Sequence, residues 1–96
     1  MKPVRDPEGA QLSHLLRACP LPGARVLEIG CGNGFLTRQY AALPARVAGI
    51  DPNADDLREA ARQAAQPGKV FFSRARAEAL PFPAATFEVV LFASSF

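Results

Sequence analysis

Residues 30–34 read Gly-Cys-Gly-Asn-Gly, with Glu28 two positions ahead of the first glycine and Asp51 21 positions beyond it. Glycines at alternate positions keep side chains away from a turn, so that backbone N–H groups and the start of a following helix can approach a ligand. The competing reading of the same glycines is a tight turn with positive φ angles. Asp51 stands before Pro52. A carboxylate at the end of a second strand, about 20 residues after such a turn, can accept two hydrogen bonds from vicinal ribose hydroxyls. It can also be a turn former ahead of the proline. Together the two features suit a ligand that contains a nucleoside.

The dinucleotide fingerprint runs G-x-G-x-x-G/A. Here the register gives Gly30, Gly32 and then Phe35, a ring where close packing of helix on strand and a diphosphate are wanted, so NAD is disfavoured. The loop itself has no Lys or Arg to meet phosphates, and Glu28 would repel them. A ligand with an ammonium and a sulfonium would be attracted by Glu28 instead. No nucleophile triad is visible, since the chain has one His and no G-x-S-x-G elbow, and no catalytic residue is assigned. His14 is read as a surface or edge residue, with a place at an acceptor pocket as the alternative.

The elements that must position these residues alternate. Residues 8–19 carry Ala10, Leu12, Leu15, Leu16 and Cys19 at helical spacing after Asp6-Pro7. Strands are expected at 25–29, 46–50, 69–73 and 87–92, and helices at 35–43 and 53–66, the latter with Asn53 as its cap. Strands that alternate with helices indicate an α/β fold, a Rossmann-like parallel sheet with helices on both faces. Tyr40, Phe71, Phe72, Phe87 and Phe92 are expected in the core, Cys31 as a small filler and Cys19 as a helix-end hydrophobe.

Ninety-six residues make one domain at most, and 49% hydrophobic with 21% charged residues excludes a disordered chain. A net charge of +2 without a basic run gives no sign of nucleic acid. Two Cys and one His are too few for a dedicated zinc site, and the two Cys are expected as free thiols. The start, MKPVRDPEGAQ, has no apolar run, and no stretch reaches the roughly 18 apolar residues of a membrane span, so a cytoplasmic protein is expected. The sequence ends soon after the fourth strand with no helix to cover it, as in an unusually small fold or the N-terminal portion of a longer one. The edge and faces of that strand, FEVVLF, are expected to be bare and to recruit a second copy or a partner chain.

Three blocks carry a resemblance. VLEIGCGNGFLT, GIDPNADDL and AEALPFPAATFEVVLFASS resemble, in order and spacing over residues 24–95, the class I S-adenosylmethionine-dependent methyltransferases, in particular the type 11 group related to quinone-biosynthesis enzymes. The resemblance implies a partial methyltransferase domain over 1–96, with a cofactor-binding core at 24–96, truncated after the fourth strand of an order 3-2-1-4. It implies S-adenosyl-L-methionine as cofactor and a small-molecule methyl acceptor. Gly30, Cys31, Gly32 and Gly34 would pass beneath the methionine portion, with Glu28 positioning it. Asp51 would hold the ribose, Pro52 and Asn53 would border the adenine, Ala77 and Glu78 would lie at its edge, and Leu80, Pro81 and Phe82 beneath it. Ala93, Ser94 and Ser95 would lie near the sulfonium. Where the family usually has an acidic residue before the Ala-Glu pair, this chain has Arg76, whose guanidinium only donates. A non-catalytic module that binds the cofactor or S-adenosylhomocysteine, or a degenerate remnant, is the alternative.

Overall fold

The computed structural model describes residues 5–6, 20–64, 68–76, 78 and 86–93. The expected helix at 8–19, with His14 and Cys19, lies outside them, as do Leu80, Pro81 and Phe82. The elements are β1 (Arg5–Asp6), β2 (Arg25–Ile29), α1 (Phe35–Tyr40), β3 (Arg46–Asp51), α2 (Ala54–Arg62), β4 (Val70–Arg74) and β5 (Val89–Ala93). All five strands form one parallel sheet in the order β1-β5-β2-β3-β4. The four strands legible in the sequence thus stand in the expected order 3-2-1-4.

The fifth strand is new. Arg5 pairs with Phe92 and Asp6 with Ala93, so a two-residue strand lies along the end of β5, whose edge was expected to be bare. The helices are shorter than their periodicity suggests. α1 stops at Tyr40 rather than at residue 43, because the chain turns there, with the Leu43 amide donating to the Tyr40 carbonyl and the Gly23 amide to the Leu43 carbonyl. α2 begins after Asn53, whose side chain accepts from the Asp56 amide at 3.1 Å, as expected of its cap.

Alternate residues of a strand face opposite sides of a sheet. One face gathers Val26, Val47, Val89 and Leu91 with Leu21, Ala24 and Tyr40, and Leu36 packs against them, so α1 is seated there. The other gathers Leu27, Ile50 and Val90, flanked by Ile29, Ala48, Ala75 and Phe87. No residue of a described helix belongs to this second cluster. That corrects the placement of two phenylalanines: Phe71 is 47% exposed and Phe92 40% exposed, each paired with a residue of this second face, Ala48 and Ile29.

Candidate functional site

The strands β2 and β3 run side by side and in register, so the loop after Ile29 and the carboxylate of Asp51 emerge at the same end of the sheet. In a parallel α/β sheet this is the end at which ligands bind. The three glycines of the loop all have positive φ, +77° at Gly30, +54° at Gly32 and +82° at Gly34. A Cβ on Gly30 would lie 2.7 Å from the Ala93 carbonyl oxygen, and one on Gly34 would lie 3.1 Å from the Cβ of Ala60. Glycine is therefore required for close approach of the loop to β5 and α2 as well as for its dihedral angles. The tight-turn reading is realised.

The loop's donors point inward, against the expectation that they would meet a ligand. The amides of Gly30 and Cys31 donate to the Ile50 carbonyl at 2.8 and 3.1 Å, that of Gly34 to the Cys31 carbonyl at 3.0 Å, and that of Phe35 to Asn33 Oδ1 at 3.1 Å. The Gly32 amide donates to Asp51 Oδ2 at 3.0 Å. A diphosphate would find these N–H groups already engaged. Phe35 also needs correcting: it is 61% exposed at the start of α1, and the close contact between helix and neighbour falls at Gly34 instead. The argument against a dinucleotide then rests on the engaged amides rather than on that ring. Nor is the loop without a cation. Arg38 of α1 reaches back to the Asn33 carbonyl at 2.7 Å, a contact the sequence pattern hides because it lies one helical turn on.

Asp51 is buried, and each of its oxygens holds one backbone amide, Gly32 on Oδ2 and Asn53 on Oδ1 at 2.9 Å. A carboxylate has about four acceptor positions. Two remain on a group whose orientation is fixed by the loop and by the turn into α2. Beside it a cleft of about 300 Å³ is lined by Ile29, Gly30, Pro52, Ala75, Arg76 and Glu78. Its Pro52 wall is tied to β4 by Arg74, whose Nε donates to the Pro52 carbonyl at 2.9 Å. The cleft brings together Gly30, Pro52 and Glu78 of the expected site. Ala77 and Ser94 lie outside the described residues.

Glu28 is elsewhere. It has no solvent exposure, and its Oε1 accepts from Thr37 Oγ1 at 2.8 Å and from the Tyr40 hydroxyl at 2.5 Å, both on the inner face of α1. Its Oε2 is a buried polar atom with no partner among the described residues. Burial pushes the carboxyl up to about 7, against the opposing pull of the hydrogen bonds from Tyr40 and Thr37. The Tyr40 phenol is raised in turn, by burial and then by the nearby Glu28 charge. Cys31 is buried as expected, and burial together with Glu28 and Asp51 raises its thiol, which leaves it unreactive. Thr37 carried no signal in the sequence, and Tyr40 was expected in the core without its hydrogen bond. Their spacing of three residues on one helix face was the available clue.

The groups present fit a nucleoside that carries a positively charged tail. The fixed Asp51 keeps acceptor positions for a diol, Ile29, Pro52 and Ala75 give the cleft apolar walls beside the charged Arg76 and Glu78, and the unpartnered oxygen of Glu28 leaves an acceptor for a cation near the loop.

Comparison with known proteins bears on what such a site is for. Residues 26–96 match a family described as "Methyltransferase domain". That description is broader than the type 11 group. The ubiquinone biosynthesis O-methyltransferase of Methylocella silvestris is 42% identical over 73 residues, which make up 75% of this chain and 28% of that protein. Among solved structures, the YcgJ protein of Bacillus subtilis superposes with a TM-score of 0.78 at 26% identity, over 86% of this chain and 37% of that one. An S-adenosylmethionine dependent methyltransferase of Mesorhizobium loti shares the fold, with a TM-score of 0.74 at 23% identity over 88% of this chain and 39% of that one. The chain thus spans about a third of the length of the proteins it resembles.

Proposed function

This chain belongs to the methyltransferase domain family, and on that premise we propose that it is the cofactor-binding part of an S-adenosylmethionine-dependent enzyme that methylates a small molecule. The observation that carries the reading is Asp51, a buried carboxylate held by the Gly32 and Asn53 amides at the carboxyl end of the sheet, with two acceptor positions left, next in the chain to Pro52, which lines a cleft with Ile29, Gly30, Ala75, Arg76 and Glu78. In this reading Asp51 accepts from the ribose diol. Pro52 flanks the base, with Glu78 and the neighbouring Ala77 at its edge. Gly30, Cys31, Gly32 and Gly34 form the floor under the methionine portion, Glu28 supplies negative charge beneath that floor, and Ser94 lies toward the transferred group. When bound, the cofactor supplies an electrophilic methyl on sulfur. The protein has to position it and keep water away.

The name of the Methylocella silvestris relative supports an acceptor that presents an oxygen nucleophile. The cofactor-binding core of this reading is residues 24–96. We place the chain in the cytoplasm as part of the same proposal; among the described residues no helix is long and apolar enough to cross a membrane. The exposed Phe71 and Phe92 support a second copy or a partner chain over that part of the sheet.

Calorimetric titration with S-adenosylmethionine, S-adenosylhomocysteine and NAD tests the reading. Heat is expected from the first two and none from NAD, and heat from NAD alone would overturn it. Asp51→Ala is expected to lose most of the affinity, because a ribose diol would be buried without its acceptor.

A further inference from the structure

The polar cluster under α1 is built for more than packing. Glu28 spends Oε1 on two donors and leaves Oε2 with none among the described residues, although the side chain is fully buried. A buried carboxylate oxygen without a donor is costly, so such a group either keeps a proton or waits for a positive charge. The groups that face it are the Thr37 and Tyr40 hydroxyls from α1 and, from the loop above, the Cys31 thiol, which also feels Asp51 of β3 and Asp56 of α2. None of these is a cation, and none of the ion pairs among the described residues includes Glu28. Glu28 also sits on β2 only two residues before Gly30, where the chain leaves the sheet for the loop.

We propose that Thr37 and Tyr40 are positioning residues that hold Glu28 as a buried acid beneath the glycine loop, and that taking up a ligand with an ammonium group at this loop releases the Glu28 proton to solvent. The inference rests on the reading of the site as one for an S-adenosyl compound. A positive charge over the loop favours the carboxylate, and by reciprocity the carboxylate favours the charged ligand by the same factor. The neutral range in which the buried carboxyl titrates puts this coupling where it can be measured. Tyr40 sets the midpoint, since its hydroxyl donates to the charged form and steadies it.

The test compares S-adenosylhomocysteine with its desamino analogue, which keeps the nucleoside, the thioether and the carboxylate but has no ammonium, by calorimetry on the whole chain at pH 5.5 and pH 8.0. S-adenosylhomocysteine is expected to bind about tenfold tighter at the higher pH, the effect of moving one carboxyl by about one pH unit on binding, with no such gain for the desamino analogue. Runs in two buffers of different ionisation enthalpy should show a proton released with the first ligand only. Glu28→Gln should abolish the pH step, and Tyr40→Phe should move it to higher pH. Equal affinity for S-adenosylhomocysteine at both pH values while both ligands bind would overturn the coupling and leave the site reading intact. Binding of neither ligand would remove the site reading and the coupling with it. The carbon NMR signal of the Glu28 carboxyl in the unaltered chain gives a readout that needs no substitution. Its midpoint should lie near neutrality and fall when S-adenosylhomocysteine is added, and a midpoint in the ordinary carboxylate range would overturn the proposal.

Discussion

The two oxygens of Asp51 hold two different turns, Gly32 in the loop and Asn53 at the start of α2, and an Asp51→Asn substitution separates holding from binding. The amide keeps one acceptor and turns an NH2 group toward the other N–H. Urea unfolding is expected to show a loss of about 1–3 kcal/mol for the buried donor left unpaired, with S-adenosylhomocysteine affinity down at least about tenfold by calorimetry. Glu28 predicts a pH dependence of its own. Its folded carboxyl titrates at about 7, above the ordinary range, so the folded chain keeps a proton that the unfolded chain gives up. The stability it contributes is complete below the unfolded value and is lost as pH rises through about 7. Against Glu28→Gln, which has no charge to bury, the unaltered chain should weaken by on the order of 3 kcal/mol between pH 4 and pH 8, read from urea midpoints. Both carboxylates were legible from their distances to the glycines. Their partners were not, because hydrogen bonds from Thr37 and Tyr40 depend on how α1 is rolled against β2, which no spacing rule fixes.

Between β2 and α1 the loop is held by geometry that side chains would break. Gly30→Ala combines a left-handed φ, worth about 1–2 kcal/mol for a residue with a Cβ, with a Cβ 2.7 Å from the Ala93 carbonyl oxygen. Gly23→Ala has a similar φ of +75° and nothing within 4 Å. Chemical unfolding should therefore show a loss for Gly30→Ala roughly twice that for Gly23→Ala, with ligand affinity reduced only by the former. At the other helix, Asn53→Ala removes the acceptor of the Asp56 amide and should cost about 1 kcal/mol. Element types followed from period and punctuation, since RVLEI and RVAGI are short apolar runs closed by a glycine loop and by Asp51-Pro52. The ends drifted by a few residues because terminal turns are set by local hydrogen bonds, as at Leu43 and Tyr40. β1 could not have been read at all: Arg5 and Asp6 are two polar residues ahead of a proline, and only the exposed end of β5 makes them a strand.

At the scale of the molecule, the parallel order followed from the alternation of elements, but the face that each strand residue meets did not. FEVVLF is apolar nearly throughout, so both of its sides look alike in sequence. In the fold one side is closed by α1 and the other leaves Phe71 and Phe92 substantially open, which predicts self-association in sedimentation at high concentration. The double substitution Phe71→Ser and Phe92→Ser should shift the distribution toward monomer at a cost of roughly 1–2 kcal/mol per ring, since each is about half-buried and the Arg46 guanidinium lies 5.4 Å from the Phe71 ring. The central claim, that the end of the sheet carrying Gly30 and Asp51 takes an S-adenosyl compound, is tested most directly by a crystal structure of the chain grown with S-adenosylhomocysteine. The account predicts both ribose hydroxyls within hydrogen-bond distance of the Asp51 carboxylate and the base between Pro52 and Ala75. A ligand seated elsewhere, with Asp51 still holding only the Gly32 and Asn53 amides, would contradict it.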